Sequence, residues 1–129
     1  MRIFKTKWFI RFARKQGIKD SKLMKAIQEI EEGLNDGDLG GGLIKKRIAR
    51  TGEGKSGSYR TIVVYRSRIR SVFVYAFPKN KKANLSPEEL EAYKELAGLF
   101  LSYKNEELAK ALREGELKEV NYGEKEISE

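Results

Sequence analysis

The chain of 129 residues contains no cysteine and no histidine. The first absence excludes thiolate catalysis, redox chemistry and a disulfide framework. The second removes the side chain that usually moves protons near neutral pH, and with it the commonest metal ligand. Any acid–base chemistry must come from Lys, Arg, Tyr, Asp or Glu, and neither a metal nor another cofactor is expected. Proline is rare, with two residues, and no apolar run approaches the length needed to cross a membrane. The opening "MRIFKTKWFIRFARK" carries charges every few residues, so it does not read as a signal peptide, and a cytoplasmic protein without membrane contact is expected.

What is present is positive charge, unevenly placed. The net charge is +8. Residues 1–82 hold 21 Lys/Arg against 7 Asp/Glu, whereas residues 83–129 hold 6 against 12. Between 43 and 82 there are twelve cations and one acid, Glu53. A basic middle beside an acidic end points to a polyanionic ligand, because phosphate neutralisation releases counterions and steers association.

Gly54-Lys55-Ser56 suggests a nucleotide-binding loop, but the pattern fails. The position of the loop's first glycine is Ala49, and "YRTIVVY" from Tyr59 reads as a strand where a helix is required. Asp36 and Asp38 likewise imitate the start of a calcium loop. Gly40 and Arg47 then stand where ligands are needed.

Periodicity sets out the elements. Ile3–Lys5 suits a short strand. Trp8, Phe9, Phe12 and Ala13 follow at helical spacing up to Gly17, with Trp8 expected as packing. A second helix, capped by Asp20 or Ser21, carries the stripe Leu23, Ile27, Ile30 and Leu34. The glycine-rich run 35–42 reads as a loop. Strands are expected at 43–49, 59–66 and 71–77, the last two as an antiparallel hairpin turning near Ser67 and ending by Pro78. Ser86-Pro87-Glu88-Glu89 starts a helix with a capping box. Its stripe is Leu90, Tyr93, Ala97, Phe100 and Leu101. A further helical turn from Asn105 stops at Gly115, and 117–120 suits an edge strand. The order predicts one α+β domain over 1–120 and a polar tail over 121–129.

Alternation along 59–66 puts Arg60, Ile62, Val64 and Arg66 on one face. In the next strand Phe73, Tyr75 and Phe77 are expected to line up and lead to Lys79. The hairpin brings Arg60 near the Tyr75–Lys79 segment, with Lys55 on the flanking glycine loop. Such a group can hold a phosphate with cations while an aromatic ring stacks on a base. A strand arginine is more often a solvated or ion-paired surface residue, and Tyr75 is as readily core. The scarcity of neutralising acids favours the site.

"LGGGLIKKRIARTGEGKSGSYRTIVVYR", followed by "VFVYAFPKNKKANLSPEEL", resembles the RelE-type toxins of bacterial toxin–antitoxin pairs. It is most similar to the short HigB-like branch with a Gly-Lys-Ser-Gly-x-Tyr-Arg segment. The likeness runs from about residue 3 to 120, including "KTKWFIRFARK" and "GELKEV". Ser58, Ala76 and Pro78 depart from the branch; they change backbone freedom beside the site without deleting a charged group. The resemblance implies a βααβββα fold: an antiparallel-dominated sheet with two N-terminal helices packed on it and a C-terminal helix. It implies an endoribonuclease, an mRNA interferase inhibiting translation at the ribosome, neutralised by a small antitoxin often bearing a helix-turn-helix domain.

The residues suit that reaction. Without metal, the substrate's own 2′-hydroxyl is the nucleophile, and the protein must remove one proton, donate another and stabilise the phosphorane. Arg60 is assigned to the phosphate, because its forked donors match phosphate oxygens. Lys55 or Lys79 is the candidate base, if neighbouring cations depress its pKa. Tyr75 is a stacking or proton-donating group. Arg47, Arg50, Lys46, Lys81, Lys82 and Asn84 are assigned to holding RNA. Two other readings are a non-catalytic RNA- or DNA-binding module of the same shape, and a basic groove for an acidic protein partner.

Overall fold

A computed structural model describes residues 1–49, 58–78 and 81–120. The elements are β1 (Arg2–Thr6), α1 (Lys7–Gln16), α2 (Asp20–Glu31), β2 (Gly37–Gly40), β3 (Leu43–Ala49), β4 (Ser58–Arg66), β5 (Arg70–Pro78), α3 (Pro87–Ser102), α4 (Asn105–Arg113) and β6 (Leu117–Glu119). The strands form one sheet in the order β2-β3-β4-β5-β1-β6. Among the described strands only the β1–β5 pair is parallel; every other pair is antiparallel. The protein is an α+β domain, as the sequence pattern predicts.

The helices start and stop where local chemistry directs. Thr6 Oγ1 accepts the Phe9 amide at 3.3 Å to open α1, and Gly17, at φ +71°, closes it. Gly17 is where a left-handed residue is needed and glycine meets no steric cost. For α3, Ser86 Oγ accepts the Glu89 amide at 3.1 Å while Glu89 Oε1 accepts the Ser86 amide at 2.8 Å. That reciprocal capping box fixes the helix start immediately after the basic strands. In α2 the N-cap is Lys19, with no side-chain bond. Asp20 is instead held by Lys5 Nζ at 2.7 Å, tying the helix to β1.

Both faces of the sheet are covered. On one, Leu23, Ala26, Ile27 and Ile30 of α2, with Phe9 and Ala13 of α1, pack on Ile44, Ile48, Tyr59, Val63 and Phe73. On the other, Ala97 and Phe100 of α3, with Leu108 and Ala111 of α4, cover Leu43, Ile62, Val64, Val72 and Phe77. Burying each large side chain contributes about 1.5–3 kcal/mol, so the central strands β4 and β5 gain on both sides.

Three expectations are corrected. Leu34 does not continue the α2 stripe; the helix ends at Glu31, and Leu34 is 56% exposed. Residues 35–42 are not wholly loop, since Gly37–Gly40 pairs with β3 as an edge strand. Two side-chain turns shape it: Asn35 Oδ1 accepts the Gly37 amide and Asp38 Oδ1 the Gly40 amide, each at 2.9 Å. Finally, Phe73 does not share a face with Tyr75. Ile62 pairs with Tyr75 but Val63 pairs with Phe73, leaving Val74 as the extra residue of a bulge. The bulge turns Phe73 into the α1/α2 core while Val74, Tyr75 and Phe77 all face α3.

Candidate nucleic-acid interface

Strand register assembles the candidate site. Arg47 of β3, Arg60 of β4 and Phe77 of β5 stand directly opposite one another in one row across the sheet. The adjacent row on the same face is Lys45, Ile62 and Tyr75. Two arginines face each other across adjacent strands, an arrangement that costs folding energy unless an anion lies between them. Arg60 adds a sharper sign. Its Nη1 is buried and has no hydrogen-bond partner among the described residues. A buried donor left unmade costs about 1–3 kcal/mol. An incoming phosphate oxygen would satisfy it.

Beyond Phe73, β5 has lost β1 as a neighbour, because the β1–β5 register ends at the pair Lys5–Phe73. Tyr75 therefore lies at a local edge, where side chains of both helical layers reach it. Its ring is stacked 5.3 Å from Tyr93 of α3 and lies 4.9 Å from Trp8 of α1. Lys82 places its ammonium 5.6 Å from the Tyr75 ring centroid and 5.4 Å from that of Phe77. The Tyr75 ring is thus engaged by Tyr93, Trp8 and Lys82.

Lys82 is held by Glu89, with both carboxylate oxygens 2.7 Å from Nζ. The bond to Lys82 and the Ser86 amide hold the Glu89 carboxyl below its usual range, and the same bond raises the Lys82 pKa. Lys82 thus remains a cation, already paired. Burial, with Tyr75 and Glu89 nearby, pushes the Tyr93 phenol up to about 12.

The other assigned residues divide. Asn84 is on the site face, its Oδ1 accepting a 2.9 Å hydrogen bond from Lys45 Nζ. Lys45 was absent from the sequence assignment. Alternation with Leu43 and Arg47 was the signal that could have found it. Lys46 points to the opposite face. It is 8% exposed, its Nζ 2.8 Å from Glu29 and 3.0 Å from the Leu34 carbonyl. The structure therefore does not bring Lys46 together with Arg47 and Arg60. Lys81 is exposed, its amide bonded to the Pro78 carbonyl at 3.0 Å. Arg50, Lys55 and Lys79 lie outside the described residues. Among the described residues no cluster of three or more acidic side chains could hold a metal, and no helix is long and apolar enough to cross a membrane.

A mixed sheet, cored on both sides and displaying an arginine row beside an aromatic edge, defines the class as a small α+β domain with a basic sheet face. The chain belongs to the RelE toxin family: the family described as RelE toxin of RelE / RelB toxin-antitoxin system matches residues 1–120. It is accordingly a toxin of a toxin–antitoxin system. No curated protein matches the sequence significantly.

Proposed function

We propose that this toxin is an endoribonuclease that cleaves mRNA in association with the ribosome, without a metal ion. The observation that carries the reading is the buried Nη1 of Arg60, without a hydrogen-bond partner among the described residues, in the Arg47–Arg60 row. Toxins of this family are generally ribonucleases, which agrees with it.

The substrate 2′-oxygen attacks the adjacent phosphorus as the bond to the 5′-oxygen breaks. The products are a 2′,3′-cyclic phosphate and a 5′-hydroxyl. Arg60 donates to the phosphorane oxygens, where negative charge grows during attack and a preorganised donor acts most strongly. Lys55 or Lys79, in its neutral form, takes the 2′-hydroxyl proton. The Tyr75 hydroxyl, close to the Lys82 ammonium, gives a proton to the departing 5′-oxygen. Arg47, Lys45, Arg50, Lys81 and Asn84 hold the RNA backbone. The partner that silences the enzyme is a small helix-turn-helix antitoxin.

The test is induced expression in a bacterial host with primer extension on abundant mRNAs. New 5′ ends inside translated frames are expected for the wild type. Arg60→Ala should lose at least about 100-fold in cleavage, the usual cost of one transition-state donor. Arg60→Lys should recover little, because a point charge does not reproduce a two-pronged contact with phosphate. Intact mRNAs and unchanged growth with wild-type protein would favour the non-catalytic binding module. Cleavage by purified toxin on ribosomes should also survive excess EDTA once magnesium loss is controlled with inert Arg60→Ala protein. Activity restored only by an added divalent ion would overturn the metal-free mechanism.

A further inference from the structure

Trp8 packs against neighbouring rings, as expected, yet 38% of it is exposed. It does not seal the core beneath α1, where Phe9 and Ala13 are the buried residues. Instead the indole stacks on Phe12, with centroids 5.3 Å apart and planes at 12°, and it meets Tyr75 at 4.9 Å and Phe9 at 6.5 Å. The two α1 rings line an open cavity of 460 Å³ whose other walls are Arg11, Arg14 and Lys15. The sequence of α1 contains no carboxylate. Like charges at Lys7–Arg11, Arg11–Arg14 and Arg11–Lys15 fall at helical neighbour spacings and repel one another. An aromatic stack ringed by cations with no carboxylate on their own helix is unfavourable for folding and suited to a ligand that is flat, apolar and anionic at once.

We propose that the outer face of α1, centred on Trp8, is a stacking platform for a base of single-stranded RNA. Arg11, Arg14 and Lys15 take the neighbouring phosphates. The assignment rests on the RNA-cleaving reading and extends it to a second subsite. The platform is continuous with the Arg60 row through Tyr75: Trp8 touches Tyr75, and Phe77, two residues further along β5, stands opposite Arg60. One RNA strand can therefore run from the arginine row over the Tyr75 edge to α1. A duplex cannot use the platform, because its bases are already stacked and paired. An acidic protein segment would meet the cations but leave the stacked rings unused.

Trp8 is the chain's single tryptophan, so its emission reports the platform alone. The full-length protein is titrated with a 2′-O-methyl single-stranded oligoribonucleotide, which cannot be cleaved because the nucleophilic hydroxyl is blocked. Binding is followed by indole emission and by anisotropy of a labelled copy. Quenching should saturate at the same concentration as anisotropy. Trp8→Ala should weaken binding about tenfold, within the range that one stacked base contributes. Trp8→Phe should recover most of it. Arg11→Glu with Lys15→Glu should weaken binding without touching the rings, and their melting temperature separates lost binding from lost fold.

Unchanged emission at RNA saturation, or wild-type affinity in Trp8→Ala, overturns the platform. So does quenching that only the antitoxin produces, since the face would then be a protein interface. Arg60→Ala protein should quench to the same final extent as the wild type, but at a higher RNA concentration. Arg60-dependent cleavage with a silent Trp8 leaves the proposed function standing and removes the platform, whereas quenching without any cleavage does the reverse.

Discussion

At the scale of single residues, neighbouring lysine and arginine on β3 have opposite surroundings. Lys46 is buried and joined to Glu29 and to the Leu34 carbonyl after α2, whereas Arg47 is exposed and directly opposite Arg60. Lys46→Ala leaves Glu29 and the Leu34 carbonyl without their donor and should cost about 1–3 kcal/mol, with toxicity falling only as the folded fraction falls. Arg47→Ala removes one of two opposed like charges, so it should melt at or slightly above the wild type and still weaken RNA binding. Denaturation curves beside RNA titrations separate the two, and equal melting of both variants would refute a structural Lys46. Tyr93 gives a residue-level test against pH. Its folded pKa, at about 12, lies above the ordinary phenol value of 10.0, chiefly through burial. Below the ordinary value both folded and unfolded chains hold the proton, and its contribution is fully present. As pH rises toward the folded value, only the unfolded chain releases the proton, so stability is lost across that window. Tyr93→Phe should flatten the alkaline limb of a stability–pH profile relative to wild type; parallel limbs would show that Tyr93 contributes nothing to it.

At the scale of elements, the turn from β2 into β3 depends on one close approach. Gly42 has φ +88°, and a Cβ placed there would stand 2.8 Å from Leu101 Cδ1 of α3. Gly42→Ala combines a strained backbone with overpacking against a core helix and should lower stability by about 2 kcal/mol or more. Leu101→Ala should relieve part of that loss in a double-mutant cycle; strict additivity would mean the two sites do not meet. The sequence carried the strand spans, the hairpin and the capping box because alternation, turn residues and Ser86–Glu89 are local signals. It did not carry β2, whose residues look like a loop until β3 supplies their hydrogen bonds. Nor did it carry the bulge at Val74, since an unbroken run of apolar residues conceals a change of face. That single extra residue separates Phe73 from Tyr75, and so decides which aromatic joins the α1/α2 core and which lies beside the candidate site. Likewise Arg60 was legible from charge and alternation, but the exposure of Trp8 was not, because helical spacing says which face a residue shares and not where the helix ends against the sheet.

At the scale of the whole molecule, charge is segregated along the chain, and this bears on how the antitoxin arrives. Residues 43–82 hold twelve cations and one acid, while residues 83–129 hold twelve acids and six cations. The first stretch builds β3 to β5 and the second begins with α3, so the basic sheet face borders an acidic helix start, where Glu89 holds Lys82. An acidic or amphipathic antitoxin segment laid over the sheet face would be drawn in from a distance and would compete with RNA for Arg47 and Arg60. Against the C-terminal helices the same segment would be repelled or held by apolar contact alone. Steering acts over about a Debye length, ~10 Å at 0.1 M salt and ~3 Å at 1 M, so it is switched off by salt while short-range contacts persist. The association rate of toxin with antitoxin should therefore fall at least about tenfold between low and high ionic strength, with the dissociation rate changing far less. Arg47→Ala should reduce the salt slope by removing one exposed cation from the steering field. Stopped-flow association at several salt concentrations measures both rates. An association rate indifferent to salt would move the antitoxin off the arginine row and onto an apolar surface elsewhere on the molecule.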